Sequence, residues 1–244
     1  MKSEVDRVHD EFEERLLTFC GPVYIAPALT APPSEIIANG TFALVETGVR
    51  RLIVTCWHVW DFYEDEKSRN PGTVMALVLG TGLKTYAVTP TLIDADRDID
   101  LAVFEWDGPE PEEKDFFPVR RFPIPRVGPG AIIALQGFPG ARREGTRTRG
   151  RFGAFFFGGV ATAVDDRKIL VAPDDARSLV SVRTGEPLEP FEIKGISGSP
   201  AYTFRDGWKL AGFVCEGKTT DGSLFLAHAS FIRADGTLDR AQFS

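Results

Sequence analysis

The chain is built largely from short apolar runs, which are separated by turn residues and interrupted once by a proline-rich segment. Examples are TFALVET at 41–47, RLIVTCW at 51–57 and AIIALQGF at 131–138. Many short strands at such spacing are typical of β-barrels and β-sandwiches. The interruption, residues 107–130, is rich in proline and charge, which excludes a central strand and favours a linker crossing the surface. We therefore predict two antiparallel β-barrels, one on each side of it.

The first residues follow a different pattern. Between residues 4 and 19, apolar side chains recur at steps of three and four: Val5, Val8, Phe12, Leu16 and Phe19. This spacing predicts an amphipathic helix that packs on a barrel or is offered to a partner. The predicted division of the chain is an N-terminal helix (1–19), an N-terminal β-barrel (20–115), a linker (116–130), a C-terminal β-barrel (131–235) and a tail (236–244).

Charge and composition exclude several function classes. With 28 basic and 35 acidic residues the net charge is −7, which argues against nucleic-acid binding, because that needs a basic surface. No apolar stretch is long enough to span a membrane, and the start lacks the pattern of a signal peptide, so we expect a cytoplasmic protein without membrane contact. Three widely spaced cysteines and three histidines suggest neither a metal site nor any other cofactor.

Three short motifs carry residues with catalytic potential. His58 lies just past an apolar strand in TCWHVW, Asp100 opens the run DLAVFEW, and Ser197 lies between glycines in KGISGSP. Each has an ordinary explanation when taken alone, namely a strand-end histidine, an acid facing water and a plain turn.

In this order, the three motifs resemble those of the trypsin-like (chymotrypsin-fold) serine proteases, and most closely the bacterial trypsin-like and HtrA-type peptidase domains. TCWHV, DLAVF and GISGSP resemble the family's histidine, aspartate and serine motifs. KLAGFVCEG (209–217) resembles the strand that binds the substrate backbone, and GFPG (137–140) a turn of bacterial members. The resemblance covers roughly residues 20 to 235. It implies a chymotrypsin-like fold, with the active site in the cleft between two β-barrels.

The resemblance implies a catalytic triad of His58, Asp100 and Ser197, and an oxyanion hole formed by the N–H groups of Gly195 and Ser197. Asp100 is preferred to Asp98 because the family's acid directly precedes the apolar strand. We interpret Asp96 and Asp98 as solvated loop acids, and Ser199 as a residue that fills the turn.

Two departures from the family concern regulation and the acid. Ile196 replaces the aspartate that pairs with a newly cut N-terminus, so that route of activation is excluded. Cys215 replaces a serine that helps to hold the catalytic aspartate. The resemblance assigns substrate binding to five residues: Phe191, Glu192, Cys215, Glu216 and Gly217. Phe191 favours an uncharged substrate side chain, while Glu192 and Glu216 would attract a basic one.

The sequence thus predicts a serine endopeptidase that acts on proteins or peptides through an acyl-enzyme intermediate. Because Ile196 cannot form the usual salt bridge, we also expect a regulatory protein partner that orders residues 190–198. Two alternatives stay open at this point: a protease-fold binding module without turnover, and a scaffold that docks through the N-terminal helix.

Overall fold

The computed structural model describes residues 15–31, 33–79, 85–88, 91–108, 110–111, 113–140, 143–146, 149–173, 179–181, 194–204, 207–218 and 220–243. Strands dominate these residues, and nearly all of their pairings are antiparallel. The all-β prediction is therefore confirmed.

The N-terminal half of the chain forms one sheet. Its strands follow the order β5-β4-β1-β2-β3-β7-β6, and a short β8 pairs in parallel with β2. The strands are β1 (Cys20–Ala26), β2 (Ala38–Glu46), β3 (Arg51–Thr55), β4 (Val74–Val78), β5 (Thr85–Val88), β6 (Thr91–Asp96), β7 (Leu101–Glu105) and β8 (Phe117–Pro118).

The C-terminal half forms a closed barrel of six strands. Its order is β13-β17-β16-β15-β9-β12, and a pairing between β12 and β13 closes the circle. The strands are β9 (Ile132–Gly137), β12 (Phe155–Val164), β13 (Lys168–Pro173), β15 (Pro200–Thr203), β16 (Lys209–Gly217) and β17 (Leu224–His228), while β14 (Leu179–Ser181) pairs with β12 outside the circle. A hairpin of β10 (Arg143–Thr146) and β11 (Arg149–Phe152) stands apart.

Several strands are apolar on both faces because both faces are buried. In β3, Ile53 faces the core of the N-terminal sheet, whereas Leu52 and Val54 belong to a second core that also contains Tyr202 and Phe213 from the other half. Successive side chains of a strand point to opposite faces, so one strand serves both cores. The shared core thus joins the two halves directly beneath the segments that carry the motifs.

One helix was not predicted from the sequence. Helix α1 (Trp57–Arg69) begins within the TCWHVW motif and buries only Val59 and Tyr63. Two buried residues four positions apart leave a weak periodic signal among many charged side chains, which explains why the pattern was missed. Among the described residues, no helix is both long and apolar enough to cross a bilayer.

The proline-rich segment is anchored in the core at several points, while most of its described residues are exposed or half-buried. Phe117, Val119 and Ile124 are buried in the shared core, and β8 pairs with β2. The prolines fit because a two-residue parallel pairing needs few backbone donors. At the N-terminus, residues 15–18 are helical and Leu16 and Phe19 are buried in the same core. The rest of the predicted helix, residues 4–14, lies outside the described residues.

Candidate active site

His58 and Asp100 are in direct contact. The Nδ1 atom of His58 lies 2.8 Å from Oδ2 and 3.0 Å from Oδ1 of Asp100. The backbone N–H of His58 also donates to Asp100 Oδ1, at 3.0 Å. His58 lies in the first turn of α1, where backbone N–H groups have no acceptor within the helix and a carboxylate is favourable. The helix start therefore positions the ring and binds the acid at the same time.

The turn before Asp100 is shaped by another acid. Asp96 Oδ1 accepts hydrogen bonds from the backbone N–H groups of Asp98 (2.9 Å) and Ile99 (3.1 Å). Asp100 itself has φ of +60°, a left-handed conformation that is uncommon for any residue except glycine. The interpretation of Asp96 as a solvated loop acid is thus wrong, because its carboxylate organises this turn. Asp98 is exposed, as expected.

The serine turn depends on glycines at two positions. Gly195 and Gly198 have φ of +98° and +91°, a backbone conformation that residues with a Cβ rarely adopt. A Cβ on Gly198 would also overlap the carbonyl oxygen of Thr41 and lie 2.6 Å from Thr55 Oγ1. The turn therefore fits against β2 and the end of β3 only when residue 198 is glycine.

The two serines of this turn differ in access. The side chain of Ser199 is fully buried, and its hydroxyl donates to the carbonyl of Ile196 at 2.6 Å. Ser197 is partly exposed. Ile196 is buried in the core of the C-terminal barrel, which anchors the turn from below. Of the two hydroxyls, the Ser197 hydroxyl is therefore the one that a substrate can reach.

Hydrogen bonds join the serine turn to β2, to β16 and, through β16, to the histidine segment. Thr41 N–H donates to the carbonyl of Ser197 at 2.8 Å. The carbonyl of Val214 accepts from Gly198 N–H at 2.7 Å and from the thiol of Cys56 at 3.0 Å. Strand β16 thus binds both the serine turn and the residue that precedes α1, so the histidine and serine segments share one support.

The turn that contains Gly195 is held from one side by the GFPG segment. Gly140 N–H donates to the carbonyl of Lys194 at 2.7 Å. The Nδ2 group of Asn39 donates to the carbonyl of Phe138 at 3.0 Å and lies so close to Gly195 that a Cβ there would be 2.6 Å from it. These contacts hold the start of the turn without any salt bridge to residue 196, whose side chain is apolar.

The predicted substrate-binding residues are only partly visible. Phe191 and Glu192 lie outside the described residues. Cys215, Glu216 and Gly217 are at the end of β16, where a register shift interrupts the pairing with β17. The thiol of Cys215 donates to the carbonyl of Phe225 at 3.2 Å, and burial raises its pKa to about 12. Glu216 is exposed and lies 3.8 Å from Lys168 Nζ.

One cluster at this site contains atoms that ligate metals elsewhere. The side-chain ligand atoms of Cys56, His58 and Asp100 lie within 4.8 Å of one another. The fit to a metal is poor, because burial raises the pKa of the Cys56 thiol well above its usual value, and metals bind the thiolate. The thiol is also engaged with the Val214 carbonyl.

Several supporting residues escaped the sequence analysis. Asn39 meets the motifs only through the fold, and no pattern marks it beforehand. Gly140 lies in the quoted GFPG segment and Cys56 two residues before His58 in TCWHVW, but neither segment indicated that these residues support the site.

The comparisons with known proteins concern solved structures. A thermostable serine protease, AL20, from an extremophilic microorganism is 14% identical, with a TM-score of 0.53 and coverage of 86% of this chain and 91% of that one. Rv3671c protease from M. tuberculosis in its active form (13% identical, TM-score 0.49, coverage 94% and 84%) and Deg5 (16%, 0.48, 93% and 91%) are also similar. No protein-family model matches the sequence, and no curated protein matches it.

The likeness to AL20, at this level of identity, concerns the fold. It agrees with the closed six-stranded barrel, the second sheet and the small helical content described above. The resemblance that the three motifs indicated is confirmed at that level: the chain has the chymotrypsin-like fold of the trypsin-like serine proteases.

Proposed function

We propose that the chain is a serine endopeptidase that hydrolyses peptide bonds in proteins or peptides. The observation that carries this proposal is the contact between His58 and Asp100, at 2.8 Å, on a segment that shares the Val214 carbonyl with the turn of the partly exposed Ser197. A scaffold would need neither the acid in contact with the imidazole nor the strained conformation of that acid.

In the proposed reaction, Ser197 Oγ attacks the carbonyl carbon of the scissile bond while His58 Nε2 takes the hydroxyl proton. Asp100 accepts the hydrogen bond from Nδ1–H and stabilises the imidazolium that forms. The imidazolium then protonates the leaving amine, and the peptide C–N bond breaks to give an acyl-enzyme. Water, deprotonated by His58, releases the acid and restores Ser197.

The oxyanion of each tetrahedral intermediate would be bound by the N–H groups of Gly195 and Ser197. Within the described part of the chain, neither group has a backbone acceptor, which is consistent with this role. One such donor contributes about 3–4 kcal/mol to the transition state in comparable enzymes. Gly140 supports this proposal because its N–H binds the Lys194 carbonyl, which belongs to the peptide unit that carries the Gly195 donor. Asn39 supports it indirectly, because it binds the carbonyl of Phe138 in the segment that contains Gly140.

The experiment compares two serine variants on an unfolded protein substrate. Ser197→Ala should lower turnover by about 10⁴ to 10⁶, the range found when a triad member is lost. Ser199→Ala is the matched control, two residues away, and should retain most of the activity. Equal loss in both variants would contradict the choice of nucleophile. Wild-type protein without turnover would favour the binding-module or scaffold alternatives.

The regulatory partner and the cytoplasmic location stay predictions from the sequence. For the partner, the proposal is that the free chain has low activity and that a partner or substrate orders residues 190–198. A partner of this kind can shift the equilibrium towards the ordered turn only by the ratio of its affinities for the ordered and disordered states, and this ratio limits the rise in activity. Full turnover of the purified protein alone would exclude this restraint.

A further inference from the structure

The C-terminal segment returns from the barrel to the N-terminal sheet. Leu238 is buried and forms a bridge with Ile232, and its backbone N–H donates to Asp94 Oδ2 at 2.9 Å. Two residues later, Arg240 begins a short 3-10 turn, Arg240–Phe243. The segment thus reaches β6, the strand that leads into the turn before Asp100.

Arg240 binds this strand through its whole guanidinium group. Its Nε donates to Asp96 Oδ2 at 2.6 Å, and its two terminal nitrogens donate to the two oxygens of Asp94 at 2.9 and 2.8 Å. A further bond, at 2.9 Å, goes to the carbonyl of Ala95. Such bidentate contacts fix direction as well as distance, which a lysine in the same place would not do.

Asp96 connects this contact to the candidate active site. Its Oδ2 atom accepts from Arg240, and its Oδ1 atom accepts from the backbone of Asp98 and Ile99. The next residue is Asp100, with φ of +60° and its carboxylate on His58. A continuous chain of contacts therefore runs from Arg240 through Asp96 and the turn to the imidazole.

The negative charge around Asp100 explains why a cation is needed in this series of contacts. Residues 94, 96, 98 and 100 are all aspartates within seven positions, so the strand end and turn carry a high density of negative charge. Arg97, the cation within the turn, lies over the ring of Trp57 with its guanidinium carbon 5.5 Å from the ring centroid. The side chains of Asp94 and Asp96 are only 20% and 16% exposed, so losing Arg240 would leave two partly buried carboxylates with their backbone donors but without this cation.

We propose that Arg240 is a positioning residue, which acts from the C-terminal segment through Asp96 to hold Asp100 in its contact with His58. This inference rests on the proposed function for its kinetic part only, since the positions of the turn and the imidazole can be measured without catalysis. It assigns a role to two residues that the motifs leave out, because Arg240 lies in the C-terminal segment and Asp96 at the end of β6.

The test uses Arg240→Ala, with Arg233→Ala as the matched control. Arg233 lies in the same C-terminal region and pairs with Asp239 at 2.7 Å, but it has no part in the chain of contacts to Asp100. We expect Arg240→Ala to lower kcat by about tenfold or more, up to the ~10²-fold that a misplacement of 1 Å can cost, with little change in KM. The midpoint of the pH–rate profile should move to lower pH, because a displaced Asp100 stabilises the imidazolium less. Arg233→Ala should match wild type.

Two further variants guard against a general folding defect. Asp96→Asn keeps an oxygen that can accept from the turn but loses the ion pair, and should reproduce a part of the Arg240→Ala effect. Arg240→Lys keeps the charge without the fork and should fall between alanine and wild type. Amide exchange of Asp98, Ile99 and His58 should be faster in Arg240→Ala and unchanged in Arg233→Ala.

The outcomes separate this inference from the proposed function. If wild type is inactive, the serine endopeptidase proposal fails, while amide exchange and the NMR titration of the His58 ring still test Arg240. If wild type is active and folded Arg240→Ala equals Arg233→Ala in kcat, pH midpoint and exchange, the inference about Arg240 is overturned.

Discussion

The two halves of the candidate site are held by different kinds of interaction. The His58 half depends on side-chain charge, because Asp100 is bound to the ring and to the first turn of the helix. The Ser197 half depends on the backbone, because its carbonyl and the next N–H are bonded to Thr41 and Val214. Interactions between charged side chains are screened by salt and change with pH. Backbone hydrogen bonds and steric fit depend much less on salt and pH. The two halves should therefore fail under different perturbations.

The largest effect should come from adding one methyl group to the turn in the Ser197 half of the site. Gly198→Ala combines a φ of +91° with overlap on the Thr41 carbonyl. The conformation alone costs about 1–2 kcal/mol, and the overlap must displace the turn as well. We expect hydrolysis to fall to the level of Ser197→Ala and the free energy of unfolding in urea to drop by more than the conformational cost.

Gly48→Ala is the control for that variant. Gly48 has φ of +79°, but a Cβ there would meet open space. It should show the conformational cost without loss of activity. A Gly198→Ala protein as active as Gly48→Ala would show that steric fit does not position Ser197.

In the His58 half of the site, a substitution should abolish activity without unfolding the protein. Asp100→Asn retains the shape of the side chain but favours the wrong tautomer of His58, so kcat should fall by about 10⁴. The urea midpoint should change little. Asp98→Asn, on the exposed acid two residues earlier, should leave both quantities unchanged. Equal kinetic effects of the two variants would contradict the assignment of Asp100.

Asn39 tests whether the backbone half also needs a side chain. Asn39→Ala removes the hydrogen bond to the Phe138 carbonyl and the contact with Gly195. We expect kcat to fall, but by less than the roughly 10² to 10³-fold that follows outright loss of an oxyanion donor. Asn70→Ala, which removes a bond to Gly72 N–H in an exposed turn, is the control. Unchanged kcat would mean that Gly140 alone holds the turn.

The smallest expected effect is the loss of stability at acidic pH. It distinguishes the pH dependence of unfolding from the pH dependence of catalysis. His228 is buried, its Nε2 is bonded to the Asp165 carbonyl, and burial lowers its pKa below the ordinary value of 6.5. The unfolded chain therefore binds a proton first as pH falls below 6.5, so stability is lost in that direction, at no more than about 1.4 kcal/mol per pH unit.

His228→Gln should flatten this slope in urea unfolding between pH 7.5 and 5 without moving the midpoint of the pH–rate profile. Arg240 lowers the pKa of Asp94, so the stability that this carboxylate contributes is present above its ordinary pKa of 3.8 and is lost only as pH falls below that value, outside this pH range. A His228→Gln protein with the wild-type slope would show that another group takes up the proton.

Some parts of this architecture could be predicted from the sequence, and others could not. The strands could be predicted because alternating and doubly apolar runs are local, and His58, Asp100 and Ser197 could be proposed because each lies in a short motif. Asp96 was misinterpreted because its partner, Arg240, is 144 residues away in the chain. Helix α1 could not be predicted because it buries two side chains only. The composition of the proline-rich segment likewise does not indicate which of its apolar side chains enter the core, as Phe117, Val119 and Ile124 do.

The most direct test of the central claim is labelling with a fluorophosphonate, which reacts only with an activated serine. The intact mass of the protein and the mass of the peptide that contains Ser197 report the site. We expect one label per chain, on Ser197, which is lost in Ser197→Ala and strongly slowed in Asp100→Asn, while Ser199→Ala reacts normally. A folded wild-type protein that takes no label, or takes it on another serine, would contradict the account.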